Sequence, residues 1–274
     1  MGSYLRPTSL AEALAALSAG QRVILAGGTD YYPARVGRVP DDDLLDITRI
    51  DALRGIAETE QGWRIGAAAT WSDLLATPLP PLFDGLKAAA REVGGAQIQN
   101  AGTIVGNLCN ASPAADGIPN LLALDASVEL ASAAGERRLP VGAFVLGNRR
   151  TARRMDEMVT AITVPRPRLA SRSAFLKLGA RRYLVISIVM VAAVAEFAPD
   201  GVIAAARVAV GACSAAAVRL PALEAALVGR RPDPALVLPE HLAPLAPIDD
   251  VRATAEYRRD AALTLVRRAL EALA

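Results

Sequence analysis

Two short segments carry residue types that could do chemistry. In Ala26-Gly27-Gly28-Thr29-Asp30, paired glycines follow an apolar run, Val23-Ile24-Leu25. Without Cβ atoms, main-chain N–H groups can crowd around an anionic group such as a diphosphate. Thr29 adds a hydroxyl, and ionised Asp30 accepts only, so it suits N–H or hydroxyl partners rather than phosphate. A strand ending in Gly-Gly is more often a tight turn than a ligand site. The second segment runs from Gln97 to Asp116 and is built of small residues. Thr103, Asn107, Asn110, Ser112 and Asp116 offer donors and acceptors, while Ala101, Gly102 and Gly106 leave backbone accessible, which suits an extended polar cofactor. The alternative is a loop that satisfies its own polar groups. Neither segment is a P-loop or a Rossmann fingerprint, because the lysine of the one and the GxGxxG of the other are missing.

Other chemistries lack their residues. The chain of 274 residues has two cysteines, Cys109 and Cys213, and one histidine, His241. It therefore supplies neither four thiolates for an iron–sulfur cluster nor a multi-histidine metal site. No catalytic side chain and no metal ligand is assigned. His241 lies in Pro239-Glu240-His241-Leu242-Ala243-Pro244, which reads as surface loop. Lys+Arg 30 against Asp+Glu 28 gives a net charge of +2, too little to gather nucleic acid. The longest uncharged apolar stretch, Leu184 to Ala195, is about a dozen residues where a membrane-spanning helix needs about 20. The N-terminal residues lack the basic start and apolar region of a secretory signal, so the cytoplasm is the expected location.

The elements that must position the two segments follow from pattern. Ser9 with Glu12 three residues on starts an amphipathic helix to Leu17 that Gly20 ends. Strands are expected at Arg22–Ala26 and Leu44–Ile47, a hairpin at 55–57 and 63–66, and helices from Thr70 to Leu75 and from Phe83 to Val93. Residues 94–119 show no clean period and read as irregular backbone. Further strands are expected at Ser127–Ala131, 137–140 and Met158–Val164. Pro165-Arg166-Pro167-Arg168 interrupts both helix and ladder and reads as a boundary, dividing the chain into 1–168 and 169–274. Beyond it come a strand at Ser173–Lys177, an apolar helix from Ile186 to Ala195, a strand at Val202–Val210, and helices at Leu220–Leu227 and Arg252–Leu273. Tyr257, Ala261, Leu265 and Leu270 are expected on one stripe of the last. Strands followed by helices suggest an α+β domain.

Taken together, AGGTD, GTIVGNLCNASPAAD, an Arg-Arg element and the tail DDVRATAEYRR resemble the flavoprotein (medium) subunit of molybdenum hydroxylases. That family includes the carbon monoxide dehydrogenase medium subunit and the FAD domain of xanthine dehydrogenase, and the likeness covers nearly the whole chain. It implies an α+β fold: an FAD-binding PCMH domain of the vanillyl-alcohol-oxidase type, made of two subdomains, and a smaller C-terminal α+β domain. It implies FAD held at the diphosphate by Ala26, Gly27, Gly28, Thr29 and Asp30 and by the TxGGN-like Thr103, Ile104, Val105, Gly106 and Asn107. It also implies cofactor contacts at Asp116 and Lys177, Val159 packed near the adenine, and Ile186 beside the flavin ring. The implied partners are a large subunit with the molybdenum cofactor and a small [2Fe–2S] subunit, in a dimer of heterotrimers, with FAD handing electrons to an external acceptor.

Two positions depart from the pattern. Val105 replaces the second glycine of TxGGN, so the backbone there keeps a negative φ or the loop is displaced. Val185 stands where many relatives have aspartate, which removes a charge near the flavin. A flavin-free assembly subunit and an independent flavin reductase of the UDP-N-acetylenolpyruvoylglucosamine reductase type are the alternative readings. Gly28→Val is expected to abolish flavin retention and leave the apoprotein folded.

Overall fold

The computed structural model describes residues 2–37, 39 and 41–274. After β1 (Tyr4–Leu5), Ser9 sets the first helix, its hydroxyl accepting the Glu12 N–H while the Glu12 carboxylate accepts that of Thr8. The helix, α1 (Leu10–Ala19), buries Ala13 and Leu17. It leads into β2 (Val23–Leu25), and β3 (Leu44–Asp46) lies between β1 and β2 in a parallel sheet. The expected hairpin is present as β4 (Ile56–Thr59) and β5 (Gly62–Gly66), with Glu60 and Gln61 as its turn. Thr70 and Asp73 then form a reciprocal cap on α2 (Trp71–Ala76), and α3 (Asp84–Glu92) follows.

The stretch expected to be irregular is largely helical: α4 (Ala96–Ala101), α5 (Ile104–Asn110) and α6 (Gly117–Ala123). Short helices of this length are marginal alone and gain their stability from packing. Here Ile104, Val105 and Leu108 of α5 and Ile118 and Leu121 of α6 are buried in the core. The caps are local: the Thr103 hydroxyl accepts the Gly106 N–H, and Ala111, left-handed at φ 47°, ends α5.

Next come β6 (Ser127–Ser132), β7 (Gly135–Pro140), the single turn α7 (Val141–Phe144), the small hairpin β8 (Val145–Gly147) and β9 (Arg150–Thr151), and β10 (Met158–Pro165). An antiparallel sheet in the order β4-β5-β10-β6-β7 results. A second antiparallel sheet, β11-β12-β13-β14, is formed by β11 (Ala170–Leu178), β12 (Val189–Phe197), β13 (Ile203–Gly211) and β14 (Val218–Arg219), followed by α8 (Pro221–Leu227) and α9 (Ala255–Glu271).

The apolar run expected as a helix from Ile186 is thus the strand β12. Its side chains alternate between two cores. Met190, Ala192 and Val194 join the core of the N-terminal elements, whereas Val189, Val191, Ala193 and Ala195 join the core under α8 and α9. A strand buried on both faces has no polar side, so its sequence lacks the usual alternation. Of the stripe expected on α9, Leu265 and Leu270 are buried and Ala261 packs against the same core, whereas Tyr257 is exposed and Arg258, Ala262, Val266 and Ala269 complete the buried face. Arg258, fully buried, donates to the carbonyls of Ile188 (2.6 Å) and Ala212 (3.0 Å) and to Asp250 (2.7 Å). His241 is buried rather than exposed, because the turn Pro239–Leu242 folds its ring back and Nδ1 accepts the Leu238 N–H at 3.1 Å.

Candidate functional site

At the end of β2 the chain turns through Gly27 and Gly28. Gly28 adopts φ +67°, and Tyr32 donates its N–H to the Gly28 carbonyl. Gly27 lies so close to the α4–α5 junction that a Cβ on it would be 1.8 Å from the Ala101 carbonyl oxygen. The two small-residue segments therefore meet backbone to backbone. The N–H groups of Gly27, Gly28, Thr29 and Asp30 have no acceptor among the described residues. Main-chain N–H groups left open beside glycines are the chemistry of an anion cradle. A Cβ at Gly28 would also lie 2.8 Å from the Tyr32 ring, and a β-branched residue is strained at positive φ. Gly28→Val consequently costs the apoprotein some stability as well as disturbing the cradle.

The second wall is built differently. Ile104 donates its N–H to the Ala69 carbonyl (3.2 Å), Gly106 to the Thr103 hydroxyl (2.9 Å) and Asn107 to the Thr103 carbonyl (3.0 Å). Only the Val105 N–H of that turn lacks an acceptor among the described residues. Val105 is helical, with its side chain buried in the core, so its backbone needs no glycine.

Between the walls lies a cleft of about 630 Å³, within the usual range for ligand sites. Ala26, Gly27, Gly28, Thr29, Asp30, Thr103, Val105, Gly106, Asn107 and Val159 line it. Ile104 is turned into the core. Asp116, Lys177 and Ile186 are not part of its lining. Asp116 and Lys177 instead form a buried pair, Nζ to Oδ2 2.6 Å, and the Ser187 hydroxyl donates to Asp116 Oδ1 at 2.6 Å. Burial pushes the Asp116 carboxyl up, against the pull of Lys177 and Ser187. Ile186 is exposed on the segment leading into β12.

Other lining residues carry no motif. Tyr31 gives its hydroxyl to Asp42 (2.7 Å) and takes the Arg35 guanidinium over its ring at 3.8 Å. Arg149 and Arg153 reach the cleft from the segment after β8. Nothing distinguishes them by sequence in a chain whose basic residues, Lys87 and Lys177 apart, are all arginines. Cys109 also lines the cleft, and burial pushes its thiol up to about 11, so it offers no thiolate near neutrality. No group of His, Cys, Asp and Glu among the described residues could hold a metal ion, and no helix is long and apolar enough to cross a membrane.

A flavin dinucleotide asks for this combination: an anion cradle opening into a cleft large enough for an extended ligand. Residues 1–167 match the family described as FAD binding domain in molybdopterin dehydrogenase, and residues 174–273 match the CO dehydrogenase flavoprotein C-terminal domain. The nicotinate dehydrogenase FAD-subunit of Eubacterium barkeri is 36% identical over 194 residues, 68% of this chain and 66% of that protein. The carbon monoxide dehydrogenase medium chain of Afipia carboxidovorans is 34% identical over 98% of this chain and 95% of its own. A solved carbon monoxide dehydrogenase from Hydrogenophaga pseudoflava superposes with a TM-score of 0.91 at 30% identity, covering 99% of this chain and 96% of the other. The chain belongs to the FAD-binding, medium-subunit family of molybdenum hydroxylase flavoproteins, the oxidoreductase subunits of the xanthine and carbon monoxide dehydrogenase type. FAD is its cofactor.

Proposed function

We propose that this chain carries FAD between a [2Fe–2S] small subunit, from which electrons arrive, and an external acceptor, in a dimer of heterotrimers completed by a large subunit with the molybdenum cofactor. The supporting observation is the meeting of Gly27 with the Ala101 carbonyl, which gathers the open N–H groups of 27–30 and of Val105 at one cleft. Bound FAD supplies the electron transfer itself.

The protein's share is to bind, orient and enclose. Gly27, Gly28, Thr29 and Val105 present N–H groups to the diphosphate, with Ala26, Asp30, Thr103, Gly106 and Asn107 shaping the same stretch. Val159 offers an apolar surface to the adenine. Asp116 and Lys177, held by one another, would meet the cofactor where it leaves this cleft, with Ile186 near the ring and Ile104 supporting the α5 wall from behind. The division into 1–168 and 169–274 and a cytoplasmic location are parts of the same proposal. The flavin-free reading loses its main ground, because helical Val105 closes nothing that a glycine would open.

The experiment is a visible spectrum of the purified chain, followed by identification of what co-purifies. A flavin band near about 450 nm, with molybdenum and iron–sulfur subunits alongside, is the expected result. A colourless complex that takes up no added FAD would end the proposal.

A further inference from the structure

The cleft lining holds four arginines, Arg22, Arg35, Arg149 and Arg153, which differ in how their charge is matched. Arg35 is paired with Asp42 at 3.0 Å, and Arg22 bonds Ser3 and the Ala16 carbonyl beside Asp43. Arg149 and Arg153 have no carboxylate within ion-pair distance among the described residues, and their hydrogen bonds go to neutral acceptors. Arg149 Nη1 donates to Asn110 Oδ1 (3.1 Å), and Arg153 Nη1 donates to the carbonyls of Glu157 (2.7 Å) and Arg154 (3.0 Å).

Both are held in place by their surroundings. Arg149 is left-handed, φ +54°, which a non-glycine residue adopts rarely, and its N–H is pinned to the Ala111 carbonyl at 2.9 Å. Arg153 belongs to a turn organised around the buried Glu157 carboxylate. Arg137 grips that carboxylate with two bonds (2.6 and 2.8 Å), and Arg154 adds its N–H and guanidinium. Burial would raise the Glu157 carboxyl, but Arg137 and Arg154 hold it below the usual range.

We propose that Arg149 and Arg153 are further cofactor-binding residues, whose guanidinium groups neutralise the diphosphate of FAD from the C-terminal end of α5. The idea rests on the FAD reading above. The residues with open N–H groups, 27–30 and Val105, and the two arginines line one cleft. Main-chain N–H groups contribute only partial charges. Two unmatched guanidiniums in the same cleft supply the full ones, in the fork geometry suited to phosphate oxygens.

The test is a titration of the deflavinated full chain, within its complex if flavin is retained only there, with FAD, ADP and riboflavin. Arg149→Gly, which keeps the left-handed backbone, and Arg153→Gln are compared with Arg150→Gln, a change at an exposed neighbour outside the cleft. Each cleft substitution is expected to weaken FAD and ADP about tenfold and the pair about a hundredfold. Riboflavin, which has no phosphate, should change less than about twofold, Arg150→Gln should match the parent, and the salt dependence of FAD binding should flatten in the double variant. Unchanged FAD and ADP affinity in the double variant overturns the proposal, as does a parallel loss for riboflavin or an equal loss in Arg150→Gln. A parent protein that takes up none of the three overturns the FAD reading and the arginine pair with it.

Discussion

The glycine turn and the α5 wall face one another across the cleft and treat their backbones in opposite ways. The turn leaves the N–H groups of residues 27–30 without acceptors among the described residues, whereas the first turn of α5 has its amides claimed by Ala69 and Thr103, Val105 excepted. One wall is therefore organised to receive an anion, the other for its own stability. Substitutions in the first should be felt mainly in cofactor retention, and in the second mainly in folding.

Gly27→Ala should have the largest effect. With 1.8 Å between the new Cβ and the Ala101 carbonyl oxygen, the two segments must part. Flavin content, read from the ratio of visible to protein absorbance, should fall by more than about tenfold, with about 1–3 kcal/mol of stability lost. Retained flavin would show that contact between the walls is unnecessary. Val105→Gly, which restores the family pattern, should lower stability in a urea titration by about 2–3 kcal/mol through lost burial and helix propensity. If it raised flavin affinity instead, the α5 wall would be as much a cradle as the turn. Thr103→Ala should cost about 1 kcal/mol by removing the cap, with at most a severalfold change in FAD affinity. The smallest effect is expected at Cys109. Because its thiol is raised to about 11, alkylation should be slow at neutral pH and speed up roughly tenfold per pH unit until about 11. Rapid labelling at pH 7 would mean that this wall is more open than its packing indicates.

Legibility followed the range of the forces involved. The helix starts at Ser9 and Thr70 and the hairpin depend on neighbours within a few residues; the two starts stand where the pattern puts them, while the hairpin turn, expected from Glu58 to Gly62, tightens to Glu60 and Gln61. The helices α4 and α5 are not legible in the sequence because Gly, Asn and Ala obscure the helical period, and α5 exists by packing Ile104, Val105 and Leu108 against distant residues. Motif likeness points to fourteen positions as cofactor contacts, and the cleft gathers those of the glycine turn, most of those of α5 and Val159. Arg149 and Arg153 carried no sequence signal, since a guanidinium is marked out only by the lack of a carboxylate beside it.

What the chain alone determined is the glycine turn at the end of an apolar strand, because only residues without Cβ can close it, and a count of two cysteines and one histidine that is too small for an iron–sulfur cluster or a multi-histidine site. Tertiary structure decided that Val189–Ala195 is a strand and not a helix. An apolar run suits either form, and the choice follows once two separate cores take alternate side chains. It also decided that the two small-residue segments touch, because contact between residues 27 and 101 depends on how helices and sheets stack, which no local pattern encodes.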